Sequence, residues 1–307
     1  MSPWYSTLAT RGTLRFDEPL ARHCTWRVGG CAAIYFEPVD RADLVSFLGA
    51  VPPTVPLTWL GLGSNVLIRD GGIAGVVLLT GRALAKINQQ HGVFSVEAGV
   101  PCAKVAKQVA NAGYTGAEFL SGIPGSMGGA LAMNAGAFGS EIWSWVRSVE
   151  TIDRTGRCRQ RAPSDYQIGY RSVRGPSEEW FVGCELSFPL AIDVVPKVRG
   201  RELLAQRNAS QPTGAPSGGS VFRNPSGDYA GRLIEAAGFK GYRLGGCHVS
   251  PKHANFIIND GHATATDIEA LIEQLRAAVW EKFSVQLEPE VRILGRALQS
   301  AEEVSGD

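Results

Sequence analysis

The clearest periodicity in the chain lies near its C-terminus. Ile268, Leu271, Ile272, Leu275, Val279 and Phe283 recur at three- and four-residue spacing. They predict a helix with one apolar face, opened by a capping box of Thr266 and Glu269. Beyond it, Leu287-Glu-Pro-Glu-Val-Arg-Ile293 alternates, with Glu288, Glu290 and Arg292 on one face and Val291 and Ile293 on the other, the mark of a half-buried strand. Further upstream, 32–38, 57–68, 76–80, 93–98 and 180–189 read as strands and 41–50, 196–210 and 229–237 as helices, with 254–259 a short strand. Pro101 opens another helix at its first position, with Val105, Ala106, Val109 and Ala110 as its stripe and Gly113 as its stop. Segment 146–161 reads as a hairpin about the turn Asp153-Arg-Thr-Gly156. The mixed order, with no steady βαβ rhythm, predicts an α+β fold. The first dozen residues and the tail after Gly295 read as poorly packed ends.

One stretch fits neither period. Ser121 to Gly139 holds six glycines, one proline and a single polar amide, Asn134, in nineteen residues. An ordinary helix would lose too much to the glycines, and an ordinary loop is more polar. Glycine serves where the backbone turns with positive φ or approaches another group closely. A flat, buried ligand with a diphosphate tail needs both. A second glycine turn, Trp59-Leu-Gly-Leu-Gly-Ser-Asn-Val-Leu-Ile68, is flanked by strand-like sequence. It lacks the third glycine of a dinucleotide fingerprint, and the chain has no Gly-Lys-Ser/Thr of a phosphate-binding loop, which disfavours a Rossmann dehydrogenase and a P-loop ATPase.

Bulk properties narrow the partners. Thirty basic and twenty-nine acidic residues leave a net charge of +1, giving no reason to expect a nucleic acid or a membrane surface as partner. Arg154, Arg157, Arg159 and Arg161 crowd together, but on a hairpin they read as a solvated face. The six cysteines form no C-x-x-C pair and no metal spacing with the five histidines, so no metal is expected. They read as reduced thiols in a cytoplasmic protein. No apolar run approaches bilayer-spanning length, and the N-terminus lacks the layout of a signal peptide.

Taken together, the blocks resemble a family. Ile123-Pro-Gly-Ser-Met-Gly-Gly129 followed by Asn134-Ala-Gly136 is similar to the flavin-binding segment of the UDP-N-acetylenolpyruvoylglucosamine reductases, within the superfamily typified by vanillyl-alcohol oxidase. Thr25-Trp-Arg-Val-Gly-Gly30, Gly63-Ser-Asn-Val-Leu67, Tyr170-Arg171, Gly219-Ser-Val-Phe-Arg-Asn-Pro225, Val249-Ser-Pro-Lys-His-Ala-Asn-Phe256 and Leu287-Glu-Pro-Glu-Val-Arg292 follow the same order, so the resemblance runs from about Thr25 to Gly295.

The resemblance implies a bacterial peptidoglycan-precursor enzyme that reduces an enolpyruvyl ether to a lactyl ether, with non-covalent FAD and NADPH as co-substrate. It places FAD on Gly61, Gly63, Ser64, Asn65, Ile123, Gly125, Ser126, Gly128, Gly129, Asn134 and Gly136. Neither glycine-rich segment holds a histidine to attach a flavin. Arg171 would pair with the substrate carboxylate, its fork matching two oxygens. Ser220 would donate the proton to the ether-bearing carbon, although a serine after two glycines by itself reads as a turn residue. Glu290 would stabilise the enolate-like intermediate; parity cannot choose between Glu288 and Glu290, and the family pattern chooses Glu290. Tyr170, Arg207, Arg223, Asn224, Lys252 and His253 would bind the UDP-sugar, His253 also reading as a structural histidine.

The expected division is 13–80 with the terminal strand 285–297 as a first FAD-binding part, 81–206 as a second, and 207–284 as the substrate domain. The chain resembles the shorter form of the family, without its extra substrate-capping loop. Two rivals are a flavin-dependent sugar or lactone oxidase of the same superfamily and a nucleotide-binding module without turnover. No obligate protein partner is evident.

Overall fold

The computed structural model describes residues 4–8, 10–81 and 83–298. The chain forms two compact units, one of residues 1–15, 35–62 and 76–207, the other of 16–34, 63–75 and 208–307.

In the first unit, five strands lie in the order Cys158–Arg161, Val146–Asp153, Glu179–Ser187, Val93–Glu97 and Ile87–Gln90, each antiparallel to its neighbours. Helix α1 (Arg41–Ala50) is capped by Asp40, whose carboxylate accepts from the N–H of Asp43. Helix α2 (Cys102–Asn111) buries Val105, Ala106 and Val109 of the predicted stripe in the cluster of Phe94, Leu120, Leu131 and Leu186, while Ala110, its fourth member, is half-buried. Pro101 is not its first residue, as expected, but the residue before it, extended at ψ 136°. The cause is tertiary: Pro101 bridges Ser126, and the Cys102 N–H donates to Gly125 O at 2.9 Å. Helix α3 (Met127–Met133) grows out of the glycine-rich stretch, and α4 (Pro196–Ser210) follows the predicted bounds.

The Asp153 turn forms as expected. Gly156 sits at φ +83°, and the Asp153 carboxylate collects the N–H groups of Thr155 and Arg157. The arginine cluster is spent on neighbours. Arg159 pairs with Asp153, Arg161 with Glu179, and Arg154 donates to the carbonyls of Pro52 and Val55.

The second unit carries a three-stranded antiparallel sheet, Arg243–Leu244, Cys247–Val249 and Ile257–Asn259, packed with α5 (Ala230–Ala236) and α6 (Ala265–Phe283). Ile268, Leu271, Ile272, Leu275 and Val279 of α6 are buried and Phe283 packs beside them. The capping box is displaced by two residues. Thr264 accepts from the N–H of Asp267, and Asp267 accepts from the N–H of Thr264. The sequence holds two overlapping boxes of this type. The second is diverted, because Thr266 donates to Asp70 and Glu269 takes the guanidinium of Arg69.

The strands expected at 57–68, 254–259 and 287–293 are shorter. Leu57–Leu60 and Val66–Ile68 are separated by the glycine turn, and Ile257–Asn259 follows a loop. In the last case only Arg292–Leu294 pairs as a strand, parallel to Val66–Ile68, while Pro289 bridges Phe222. The described parts of the chain ends are better packed than expected. The Trp4 ring stands edge-on to Phe47, and the Arg296 N–H donates to Gly72 O. Residues 1–3, 9 and 299–307, also read as poorly packed ends, lie outside the described residues.

Candidate active site

In the first unit the candidate residues gather around α3. That helix ends on Asn134, fully buried and left-handed at φ +44°, ψ +55°. Its Nδ2 donates to Glu141 Oε2 at 2.9 Å and to Gly169 O at 3.1 Å, and its Oδ1 accepts from the Trp143 N–H. Its side-chain amide is therefore committed within the protein, where it holds the loop that follows α3. Gly169 pairs with Ser172 across a two-residue turn made of Tyr170 and Arg171. Arg171 sits at φ +51°, a region that costs a residue with a Cβ about 1 kcal/mol or more. Its guanidinium reaches back to α3, donating to Asn134 O at 3.3 Å and Gly136 O at 2.7 Å, and lies over the Tyr170 ring.

A second turn, Phe138-Gly139 with φ +54° and +79°, returns the chain so that Glu141 faces Gly136. Asn134, Phe138 and Arg171 thus all adopt conformations costly for L-residues, in one small region. Such strain persists where surrounding structure enforces it, and it gathers at binding sites.

The glycines divide by task. Gly61 carries no side chain because a Cβ there would come 2.6 Å from the Oγ of buried Ser126, and Gly129 has only that same Oγ near its Cβ direction, at 3.8 Å. Gly61 is thus packed on Ser126, whereas the exposed Gly129 presents bare backbone. Gly128 and Gly136 are packing glycines, crowded by Ala98 and by Ser140 O. Ile123 packs against the core of this unit, and the Gly125 carbonyl starts α2. Arg207 lies here too, against Gly122, and burial lowers its pKa.

In the second unit, Gly63 is forced by its surroundings. Its φ is +64°, and a Cβ would meet His23 O at 2.0 Å. Ser64 follows it, half-buried. The Asn65 side chain donates to Glu290 O at 3.1 Å, and Asn65 O accepts from the Arg292 N–H. The Glu290 N–H donates to Val221 O at 2.7 Å. Asn65, Ser220 with Val221, and Glu290 are thereby brought to one place. Ser220 is set there from both sides. Before it, Gly218 packs on the buried Trp26, whose indole N–H donates to Ile257 O, and Thr25 Oγ1 donates to Ser217 O. After it, Asn255 accepts the Val221 N–H on its carbonyl and clamps both backbone groups of Phe222 with its amide.

A Cβ at Gly218 would stand 2.5 Å from the Trp26 ring. Gly218→Ala is therefore expected to lower stability by about 2 kcal/mol, the scale of an overpacked core, read as a drop in the thermal midpoint.

The remaining candidates separate. Arg223 lies opposite exposed Glu288, guanidinium to carboxylate at 3.6 Å, whereas Glu290 is half-buried. The structure thus distinguishes two glutamates that parity leaves equivalent. Asn224 Oδ1 accepts the N–H of Ala230, at the start of α5. Lys252 Nζ donates to Asn208 O. His253 Nδ1 accepts from the Asn255 N–H, its ring stands edge-on to Phe256, and burial holds its pKa down, all features of a structural histidine.

Glu141 and Asn255 support these positions and are not among the candidates the sequence suggests. Glu141 is signalled only as a polar side chain before the apolar Ile142-Trp143, whereas Asn255 lies inside the Val249–Phe256 block with no role assigned to it. Among the described residues no cluster of three or more metal-ligating side chains occurs, and no helix is long and apolar enough to cross a membrane.

Comparison with known proteins defines the class. Residues 32–160 match a FAD binding domain, and residues 211–294 match the C-terminal domain of UDP-N-acetylenolpyruvoylglucosamine reductase, which makes this α+β chain a FAD-dependent oxidoreductase. It is 55% identical to UDP-N-acetylenolpyruvoylglucosamine reductase of Methylococcus capsulatus, over 94% of this chain and 95% of that protein, and 53% identical to that of Alkalilimnicola ehrlichii, over 93% and 96%. The crystal structure of the Thermus caldophilus reductase superposes with a TM-score of 0.79 at 30% identity, over 93% of this chain and 99% of that one. The chain belongs to the UDP-N-acetylenolpyruvoylglucosamine reductase family.

Proposed function

We propose that this chain reduces UDP-N-acetylglucosamine enolpyruvate to UDP-N-acetylmuramate with non-covalent FAD and with NADPH as the source of electrons. The observation that carries the reading is the joining of Ser220 and Glu290, seventy residues apart, through the Val221–Glu290 hydrogen bond and the Asn65 side chain. This pairing brings the backbone segments that carry the proposed proton donor and the proposed carboxylate together, as protonation of an enolate would need.

The residues fit a flavin dinucleotide. The bare backbone at Gly129, beside the buried Ser126 hydroxyl on which Gly61 packs, admits the close backbone approach that a diphosphate requires. The turn of Gly63, Ser64 and Asn65 would hold the cofactor as well. When bound, FAD supplies hydride to the terminal vinyl carbon. Arg171 holds the substrate carboxylate, on which negative charge grows. Glu290 shares a proton with that carboxylate, and Ser220 delivers its hydroxyl proton to the ether-bearing carbon. Tyr170, Arg207, Arg223, Asn224 and Lys252 are the side chains proposed to meet the UDP-sugar. His253 orders the loop around them.

The division into 13–80 with 285–297, 81–206 and 207–284 is kept as the proposed functional partition. The reaction is expected in the cytoplasm, where the nucleotide substrates are, and would support cell-wall growth, cell shape and division.

The test is the visible spectrum of the purified protein under anaerobic conditions. A flavin spectrum that NADPH bleaches and the enolpyruvyl nucleotide restores would support the reading. A colourless protein that takes up no FAD would overturn it. The two glutamates offer a sharper contrast. Glu290→Gln is expected to slow substrate reduction by about 100-fold, the usual range for loss of a proton-transfer group, while Glu288→Gln stays within about twofold. Steady-state rates of both variants check this, and equal effects would remove Glu290 from its role.

A further inference from the structure

Glu141 is not among the groups proposed to react, yet the loop that carries Arg171 depends on it. The chain places it there by the Phe138-Gly139 turn, both residues at positive φ, which sets Glu141 opposite Gly136. Gly136 is the spacer. The Cβ it lacks would lie 3.0 Å from Glu141 Cβ on one side and 3.1 Å from Arg171 Nη1 on the other.

We infer that Glu141, acting through Asn134, is a positioning residue for the Arg171 guanidinium. This rests on the reading that Arg171 holds the substrate carboxylate. The carboxylate of Glu141 accepts one N–H of the Asn134 amide at 2.9 Å. With the amide reversed, its oxygen would face that carboxylate, so Glu141 fixes which way the amide points. The correctly turned amide also donates to Gly169 O, the residue before the Tyr170-Arg171 turn. The backbone carbonyl of the same Asn134, with that of Gly136, receives the guanidinium. Asn134 thus grips the arginine hairpin at both its backbone and its cation, and Glu141 sets the grip. A charge-assisted hydrogen bond of this kind is roughly twice as strong as a neutral one, which suits a group that must hold a strained backbone.

The experiment compares Glu141→Ala, Glu141→Asp and Glu141→Gln holoenzymes with Arg171→Met and the Glu141→Ala/Arg171→Met double variant. KM and kcat for the enolpyruvyl nucleotide are measured, together with the rate at which NADPH bleaches the bound flavin in its absence. Alanine removes the acceptor and aspartate is too short to reach. Both are expected to raise KM about 10- to 100-fold with less change in kcat, as for a misplaced binding group. Glutamine keeps an acceptor oxygen and is expected within about threefold of the parent, and flavin bleaching is expected within about twofold throughout. In the Arg171→Met background the Glu141→Ala change is expected to add nothing, because the two act as one unit.

Parent-like KM in Glu141→Ala and Glu141→Asp, with Arg171→Met impaired, would overturn the inference and leave the role of Arg171 standing. Parent-like behaviour of Arg171→Met would overturn that role, and the inference with it. A full additive loss in the double variant, or a Glu141→Gln enzyme as poor as Glu141→Ala, would also overturn the inference. Glu141→Asp, which keeps the charge, carries the test should Glu141→Ala fail to fold.

Discussion

Ser220→Ala is expected to be bleached by NADPH at the parent rate and to pass its reducing equivalents to the enolpyruvyl nucleotide about 1,000-fold more slowly, within the usual range for loss of a general acid. A serine hydroxyl is a feeble acid, but a carbanion-like intermediate is a far stronger base, so the transfer runs downhill once the hydroxyl is in place. Placement is what the fold supplies. Trp26 and Thr25 fix the chain before Ser220, and Asn255 and Glu290 fix it after. Alanine keeps every one of those backbone contacts, so a loss in the second half-reaction alone is chemical in origin. Rapid-mixing traces of the two half-reactions separate the outcomes. A normal second phase would remove Ser220 from proton transfer, and slowing of both phases would point to a displaced cofactor.

The second large effect is on stability. Asn134→Ala is expected to lower the unfolding free energy by about 3 kcal/mol. About 1 kcal/mol comes from a Cβ-bearing residue without a side-chain amide at positive φ, and the rest from hydrogen bonds lost to a carboxylate and a buried carbonyl. Asn134→Gly relieves the first part and none of the second, so it should recover about 1 kcal/mol. Thermal or urea unfolding of the two variants measures this difference. Equal stability of parent and Asn134→Ala would mean that Glu141 and Gly169 find other donors. The two substitutions also bear on Arg171, whose guanidinium rests on the carbonyl of residue 134. That carbonyl survives both changes but is no longer held by the side-chain amide.

Comparison of particular elements shows which features the linear pattern encodes. Helix α1 falls at its predicted bounds because Asp40 caps it and the Ala50-Val51-Pro52 stretch leads out of it. The α6 stripe is buried from Ile268 to Val279, with Phe283 half-buried at its end, because a 3.6-residue period leaves one way to hide those side chains. Its start is displaced because two capping boxes overlap, and the choice between them is made by Asp70 and Arg69, nearly two hundred residues away. The glycines behave likewise. Their density marks the binding segments, but whether a given one faces open space, like Gly129, or is wedged against a neighbour, like Gly63 beside His23, depends on the packed partner.

The same division holds for the candidate site. Ordered motifs along the chain identify the family and single out Arg171, Ser220 and Glu290, since each lies in a recognisable block. Alternation leaves Glu288 and Glu290 on one face, and only the packed chain separates them, by setting Glu288 in solvent against Arg223 and tying Glu290 to Val221 and Asn65. Glu141 lies in no recognised motif, and Asn255 lies in one that assigns it no role. Their importance arises from hydrogen bonds made across 7 and 33 residues, to groups whose positions no local pattern specifies. The sequence by itself determined the family, the cofactor class, the helices with a strong apolar face and the candidate residues for the chemistry, because periodicity and motif are local properties. Tertiary structure alone decided which glycines face open space, which capping box is used, which glutamate is tied to Val221 and Asn65 and what holds Arg171, because each is settled by competition among partners distant along the chain.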